Sequence, residues 1–98
     1  MIDVVTLHEN DNVATARYQL NAGDEIEIKE GGECIIAADN IPSGHKIALR
    51  RIYRSTPIIK YGQNIGTATT DIEPGEHVHV HNVESNRGRI DVGREEAP

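Results

Sequence analysis

The sequence lacks most of the residues that build a large core or a disulfide framework. Among its 98 residues there are no Trp or Phe, three Tyr and one Met. Its single cysteine, Cys34, excludes an internal disulfide and any four-cysteine metal site. A chain of this length forms at most one small domain, and without aromatic anchors its core is marginal on its own. We therefore expect partners, homo-oligomers included.

Positive charge and long apolar runs are also scarce. Ten Lys and Arg stand against sixteen Asp and Glu, which gives a net charge of −6. Phosphate recognition needs clustered positive charge, so neither a nucleic acid nor an anionic membrane is an expected partner. No stretch approaches the roughly 18 apolar residues of a membrane helix, and the first twenty residues lack the apolar centre of a signal peptide. Together with the lone cysteine, these absences predict a cytoplasmic protein.

The apolar residues that are present are mostly Ile, Val and Ala, and many alternate with polar residues. β-branched side chains fit a pleated sheet better than a helix. The alternation runs through residues 15–20, 25–29 and 77–83, and each run is typical of a half-buried strand. We therefore predict a mostly β fold of short, bent strands joined by Gly and Pro turns. At most one short helical turn is expected, within residues 44–51.

A short repeat marks the turns between these strands. Residues 20–26, 41–47 and 72–78 share a pattern: apolar, any residue, small or Pro, Gly, two polar residues, apolar. Residues 52–58 keep the outer apolar positions but carry Ser55 in place of the glycine. Glycine supplies the positive φ that such turns use. Each unit is predicted to end one segment, turn, and begin the next strand.

Three histidines alternate with two valines near the end of the chain, from His77 to His81. In a strand, residues two apart share a face, so the pattern predicts three imidazoles on one side and Val78 and Val80 in the core. Imidazole titrates near neutral pH, which suits acid–base catalysis. Rings about 7 Å apart on a straight strand cannot all bind one metal ion, although two can if a bulge forms or a ligand comes from elsewhere. A histidine-rich polar face without a function is the simpler alternative.

Basic residues also lie at two turns. His45 and Lys46 follow Gly44, where backbone amides and basic side chains can receive an anion. Lys60 and Tyr61 follow a pair of isoleucines that is predicted to be buried, and a lysine there can bind a carboxylate. A solvated loop is the alternative interpretation of both turns.

Three segments resemble a known family in order and spacing: DNIPSGHKIAL (39–49), IKYGQNIG (59–66) and IEPGEHVHVHN (72–82). Together they make residues 4–83 similar to the SAF-type, β-clip domain of the altronate dehydratase, galactarate dehydratase and sulfolactate sulfo-lyase family. In that family the domain is the N-terminal part of a long dehydratase or a separate small subunit, and the large partner carries most of the catalytic apparatus. The resemblance implies a SAF domain over residues 1–83, and the polar and charged composition of residues 84–98 predicts a tail after it.

The family's reactions are β-eliminations from hydroxy acids, in which water leaves a sugar acid or sulfite leaves sulfolactate. The resemblance therefore implies the small subunit of an altronate dehydratase-type hydro-lyase, which acts on a small sugar acid with a large catalytic subunit. A sulfolactate sulfo-lyase small subunit, a non-catalytic SAF binding module and a histidine metal-binding protein are the alternatives. The resemblance also implies a divalent metal, commonly iron, held mainly by the large subunit.

Two positions depart from the family's pattern. Ser55 stands where members typically have a glycine turn. His77 is Trp or another residue in many dehydratases, so the histidine stretch is closer to the sulfo-lyase pattern. Elimination needs a base, an acid for the leaving group, and positive charge for the developing enediolate. The candidate site residues are, for proton transfer, His45, His79 and His81; for substrate binding, Lys46, Lys60, Tyr61 and Asn82; and, for a metal, His77, His79 and His81.

Overall fold

The computed structural model describes residues 2–4, 10–28 and 33–85, which form nine short strands in three small sheets. All strand pairs are antiparallel except β1 and β3, which are parallel. The described residues include no helix, so the predicted β fold is confirmed; residues 44–51 contain a β-turn and a strand instead of a helical turn. The sheets are, in spatial order, β1 (Ile2–Val4), β3 (Glu25–Ile28) and β4 (Glu33–Ile36); β2 (Val13–Thr15), β5 (Lys46–Ala48) and β8 (His77–Val78); and β6 (Pro57–Lys60), β7 (Gln63–Ala68) and β9 (Val83–Ser85).

The four predicted turns share one geometry. In each, the amide of the fourth residue donates to the carbonyl of the first, over 2.9–3.1 Å. The third residue has a positive φ, as a type II turn requires. Ser55 reaches φ 72° without being a glycine, so this loop keeps the shape of the other three at a conformational cost of about 1 kcal/mol. The third residues of the other turns are Gly23, Gly44 and Gly75, with φ between 88° and 94°.

The turns belong to an internal duplication. Leu20 pairs with Ile41 across an isolated bridge, and Ile52 pairs with Ile72 in the same way. The same hydrogen bond accompanies both bridges. The backbone amide two positions after the bridge's first residue donates to the side chain of the residue just before the bridge's second residue. The sequence repeat therefore reflects two copies of one supersecondary unit, each with two turns.

Each copy has its own apolar cluster, and strand β5 lies between the two. Ile47 packs in the first cluster and its neighbour Ala48 in the second, because successive residues of a strand point to opposite faces. Val78 of the adjacent strand β8 also packs in the second cluster. Burial of a side chain as large as that of Ile47 or Val78 contributes about 1.5–3 kcal/mol. Strands β5 and β8, which carry or adjoin the histidines, are therefore fixed by the packing of the two apolar clusters.

Strand β8 is shorter than the alternation predicts. Val78 is fully buried, but the strand ends there, and Val80 is 80% exposed. The expectation that Val80 fills the core is therefore wrong. The physical reason is Asn82, whose side chain accepts a hydrogen bond from the amide of His79 and donates one to the carbonyl of His77. Such local bonds replace the ladder of a sheet and turn the chain.

The last described strand, β9, ends at Ser85. Of the predicted polar tail over residues 84–98, only Glu84 and Ser85 are therefore described, and the rest lies outside the described residues. Within the described part of the chain there is no helix long and apolar enough to cross a membrane.

Candidate functional site

Three histidines from two separate elements meet at one edge of the second sheet. His45 ends the turn before β5, and His77 and His79 come from β8 and the residues just after it. Nδ1 of His45 lies 2.8 Å from Nε2 of His77, and the rings of His45 and His79 stack with centroids 3.9 Å apart. Ring nitrogens of all three lie within 4.8 Å of one another. The pairing of β5 with β8 thus brings His45, which is distant in the sequence, next to His77 and His79. His45 is therefore a candidate for the additional metal ligand that the sequence analysis considered.

His81 lies beside this cluster. Its ring centroid is 5.1 Å from that of His77 and is tilted by 40°, and the residue is exposed. Among the residues whose placement is described, the His, Cys, Asp and Glu side chains close enough to share one ion are His45, His77 and His79. The structure therefore groups His45 with two of the predicted metal ligands and leaves His81 outside the group.

Partial burial and mutual repulsion favour the neutral form of the imidazoles of His77 and His79. Desolvation lowers the pKa of His77, and repulsion from the other three histidines lowers it further, against a smaller opposite effect of Asp39. Desolvation also lowers the pKa of His79, with additional repulsion that includes Lys46. Neutral imidazole is the form that accepts a proton or binds a metal ion. The rings of His77 and His79 are therefore in the form that either role needs at neutral pH.

Two lysines add positive charge next to the histidines. Desolvation lowers the pKa of Lys46, and the charge of Lys60 lowers it further, so the two ammonium groups repel each other. Nζ of Lys60 lies 4.6 Å from the ring centroid of Tyr61, within the range of a cation–π contact. On a protein of net charge −6, this cluster is a favourable place for an anion. We call it the basic site: His45, Lys46, Lys60, His77 and His79.

An open cleft of about 190 Å³ adjoins the basic site, with Lys46 and His79 in its wall. Its remaining lining is almost entirely apolar. Most small-molecule pockets are larger, at roughly 300–1,000 Å³. The cleft is therefore better suited to be one wall of a site than a complete pocket. Its other lining residues are Ile58, Ile65, Val78, Val80, Val83 and Ser85.

Asp11, which the sequence analysis missed, holds the loop that carries Lys60 and Tyr61. Asp11 is 2% exposed, and its two carboxylate oxygens accept hydrogen bonds from the amides of Tyr61 (3.0 Å) and Gly62 (2.8 Å). Tyr61 has φ 53°, a conformation that non-glycine residues rarely adopt. Charge-assisted bonds from a buried carboxylate stabilise this loop. No sequence signal identifies the contact, because Asp11 and Tyr61 are 50 residues apart.

The side chain of Asn82 holds the backbone of His77 and His79 in place. The residue is 5% exposed, and both ends of its side-chain amide are bonded to the backbone of His77 and His79. These bonds fix the direction in which the two imidazoles leave the chain. A direct contact between Asn82 and a substrate stays a prediction, as do the contacts assigned to Lys60 and Tyr61.

Comparison with known proteins is consistent with this geometry. Residues 2–86 match the family model described as the altronate/galactarate dehydratase SAF domain. Altronate dehydratases of Bacillus subtilis and Escherichia coli are 39% and 37% identical to this chain over 94% and 92% of its length. The chain spans only 18% of each of these two relatives.

A second kind of relative is much shorter. The (2R)-sulfolactate sulfo-lyase subunit alpha of Paracoccus pantotrophus is 38% identical, over 55% of this chain and 96% of its own length. The protein of the same name from Chromohalobacter salexigens is 49% identical over 50% of this chain and 52% of its own length. The family-model match covers all three segments that carried the resemblance. The chain belongs to the altronate/galactarate dehydratase SAF domain family.

Proposed function

We propose that this domain supplies basic side chains to the active site of a hydroxy-acid lyase, which a larger catalytic chain completes. The observation that carries the proposal is the basic site beside an open cleft that is smaller than most small-molecule pockets, with Lys46 and His79 in the cleft wall. The relatives support the division of labour. The chain matches 18% of the length of two altronate dehydratases, whereas 55% of the chain matches 96% of the length of a protein named as a subunit.

The residues of the basic site match the needs of an elimination. A base must take the proton from the carbon next to a carboxylate, and an acid must protonate the leaving hydroxyl. His79 lies in the cleft wall and has a lowered pKa, so its neutral ring is the proposed base. When the hydrogen-bonded pair of His45 and His77 carries one added proton, it is the proposed acid: it protonates the leaving hydroxyl, which departs as water, and both rings become neutral. Lys46, in the same wall, holds the carboxylate or the enediolate charge.

The substrate of the proposed reaction is a small sugar acid that loses water. A larger dehydratase-type chain supplies the rest of the site and most of the ligands of the divalent metal that the resemblance implies. Sulfolactate, which loses sulfite, is the second candidate substrate. The match over nearly the whole length of the Paracoccus pantotrophus subunit favours this alternative. Both substrates are anions that the basic site can neutralise.

The test is an elimination assay with altronate, galactarate and sulfolactate. We expect activity from this chain mixed with a dehydratase-type large chain, and none from either chain alone. His79→Ala should lower the rate of the mixture by about 100-fold or more, as the loss of a general base does. Thr70→Ala, at an exposed residue outside the basic site, is the control and should leave the rate unchanged. Full activity of one chain alone, or indifference of the mixture to His79→Ala, would contradict the proposal.

A further inference from the structure

We propose that this chain itself binds one divalent first-row transition metal ion through His45, His77 and His79. The site lies on described residues of this domain alone, so it needs no contribution from a larger chain. It also differs from the set of three alternating histidines that the sequence favours, because His45 replaces His81. The inference stands on the geometry of the cluster and does not require the lyase function; a bound ion would occupy ring nitrogens that the proposed proton transfers use, so the two roles exclude each other in any one state of the site.

The spacing of the ring nitrogens suits a shared ion. Zinc–nitrogen bonds of 2.0–2.1 Å in a tetrahedral site place two ligand nitrogens roughly 3.3 Å apart. In the structure the nitrogens of His45 and His77 are 2.8 Å apart, and those of all three histidines lie within 4.8 Å. The nitrogens are thus close enough to share one ion, but the three rings lie within 10–25° of parallel, so they must rotate about their side-chain torsions for their lone pairs to converge on it. The ion would replace the proton that His45 and His77 share.

The donor set selects the class of metal. Imidazole nitrogens suit Zn²⁺, Fe²⁺, Ni²⁺ and Cu²⁺, whereas Mg²⁺ and Ca²⁺ require oxygen ligands. The group contains no carboxylate, and the nearby Asp39 already accepts a hydrogen bond from the amide of His77. Three protein ligands also leave a fourth position open, as in catalytic rather than structural zinc sites. An exchangeable ligand such as water or a hydroxy acid fits that position.

The backbone around the ligands is already ordered. Strand pairing places Ile47 opposite His77, which fixes the turn of His45 relative to β8. The side chain of Asn82 fixes the backbone at both His77 and His79. Such supporting bonds orient metal ligands before the ion arrives. The cost of ordering the ligands on metal binding is therefore small.

The positive charge of Lys46 lowers the affinity for a cation, and its removal therefore gives a specific test of the proposal. Its ammonium group interacts electrostatically with His79, and like charges at this range repel. Replacement of Lys46 by the uncharged Met should therefore strengthen metal binding. A mere surface-histidine interaction would respond less, because solvent and salt screen exposed charges.

The test uses the full 98-residue chain without any partner, with Zn²⁺ by titration calorimetry and Co²⁺ by visible absorption. We expect one ion per chain and the absorption of cobalt in a low-coordinate nitrogen site. Single substitutions of His45, His77 or His79 by Ala should each weaken Zn²⁺ binding by roughly tenfold or more. His81→Ala should leave the affinity unchanged, and Lys46→Met should raise it. Gln at the same positions replaces any Ala variant that circular dichroism shows to be unfolded.

Three results would overturn the inference: no ion bound at millimolar Zn²⁺, an affinity that depends on His81 as strongly as on His45, or equal binding of Mg²⁺. An affinity that survives each single substitution would show adventitious binding and count against it as well. These measurements need no lyase activity, so failure here leaves the proposed reaction to its own assay. Conversely, a chain that binds Zn²⁺ as expected but activates no large chain would refute only the lyase proposal.

Discussion

Nδ1 of His45 lies 2.8 Å from Nε2 of His77, although 32 residues separate them in the chain. The contact exists because the turn of His45 leads into β5, and β5 pairs with β8. His77 is the first residue of β8. The same pairing carries buried Ile47 and Val78. The positions of the basic-site residues therefore depend on the packing of the core. A substitution in the basic site should change the stability of the domain, and a substitution in the core should change the geometry of the basic site.

The first prediction concerns the stability of the domain against pH. Desolvation and repulsion lower the pKa of His77 in the folded chain, so the unfolded chain binds more protons between the folded and unfolded pKa values. The free energy of unfolding should therefore fall as the pH drops below about 6.5, the ordinary pKa of histidine, until the folded pKa is passed. Urea unfolding at pH 7.5 and at pH 5 measures this change.

The matched variant for this prediction is His77→Gln, which removes the titrating ring but keeps a polar side chain. Its stability should depend less on pH between 7.5 and 5 than that of the unsubstituted chain. Thr70→Ala, at an exposed position, should reproduce the original dependence. A stability that rises as the pH falls through this range would contradict the lowered pKa of His77.

The second prediction concerns Asp11 and the loop of Lys60. Asp11→Ala leaves the amides of Tyr61 and Gly62 without their acceptors, so the free energy of unfolding should fall by about 2–3 kcal/mol. Asp11→Asn keeps one acceptor oxygen and should cost less. Chemical denaturation of both variants checks the order. Equal stability of Asp11→Ala and the unsubstituted chain would show that water replaces the carboxylate.

Local rules explain which features the sequence could predict. Alternation and glycine position act over a few residues, so the β class, the four turns and the place of His45 after Gly44 could be inferred directly. The contact of His45 with His77 could not, because it depends on which strands pair. Val80 was misplaced since the alternation continues past Val78, whereas the side chain of Asn82 turns the chain there. Competing hydrogen bonds of this kind leave no periodic signal.

The third prediction tests the turn that lacks a glycine. Ser55 has φ 72°, where a side chain is strained, so Ser55→Gly should raise the free energy of unfolding by about 0.5–1 kcal/mol. Gly44→Ser should destabilise through its φ alone, because a Cβ there meets open space. Gly75→Ser should destabilise most, since its Cβ would collide with the carbonyl of Ile36.

Thermal unfolding of the three variants gives the ranking directly. A gain at Ser55 with losses at Gly44 and Gly75 confirms that these three turns share the positive-φ geometry. If Ser55→Gly is neutral or destabilising, its hydroxyl makes a contribution that outweighs the strain. If Gly75→Ser is no worse than Gly44→Ser, the close approach of residue 75 to strand β4 is absent.

The last prediction separates support of the basic site from direct chemistry. Asn82→Ala removes the bonds to the amide of His79 and the carbonyl of His77, so it should lower the free energy of unfolding by about 1–3 kcal/mol. It should also weaken Zn²⁺ binding, because the two imidazoles lose their fixed direction. Asn82→Asp keeps the acceptor for His79 but loses the donor to His77, and should restore part of the affinity. Since Asn82 is 5% exposed, a role in positioning predicts that stability and affinity fall together. A variant that keeps both the stability and the Zn²⁺ affinity of the unsubstituted chain, yet loses lyase activity with a large chain, would instead identify Asn82 as a substrate contact.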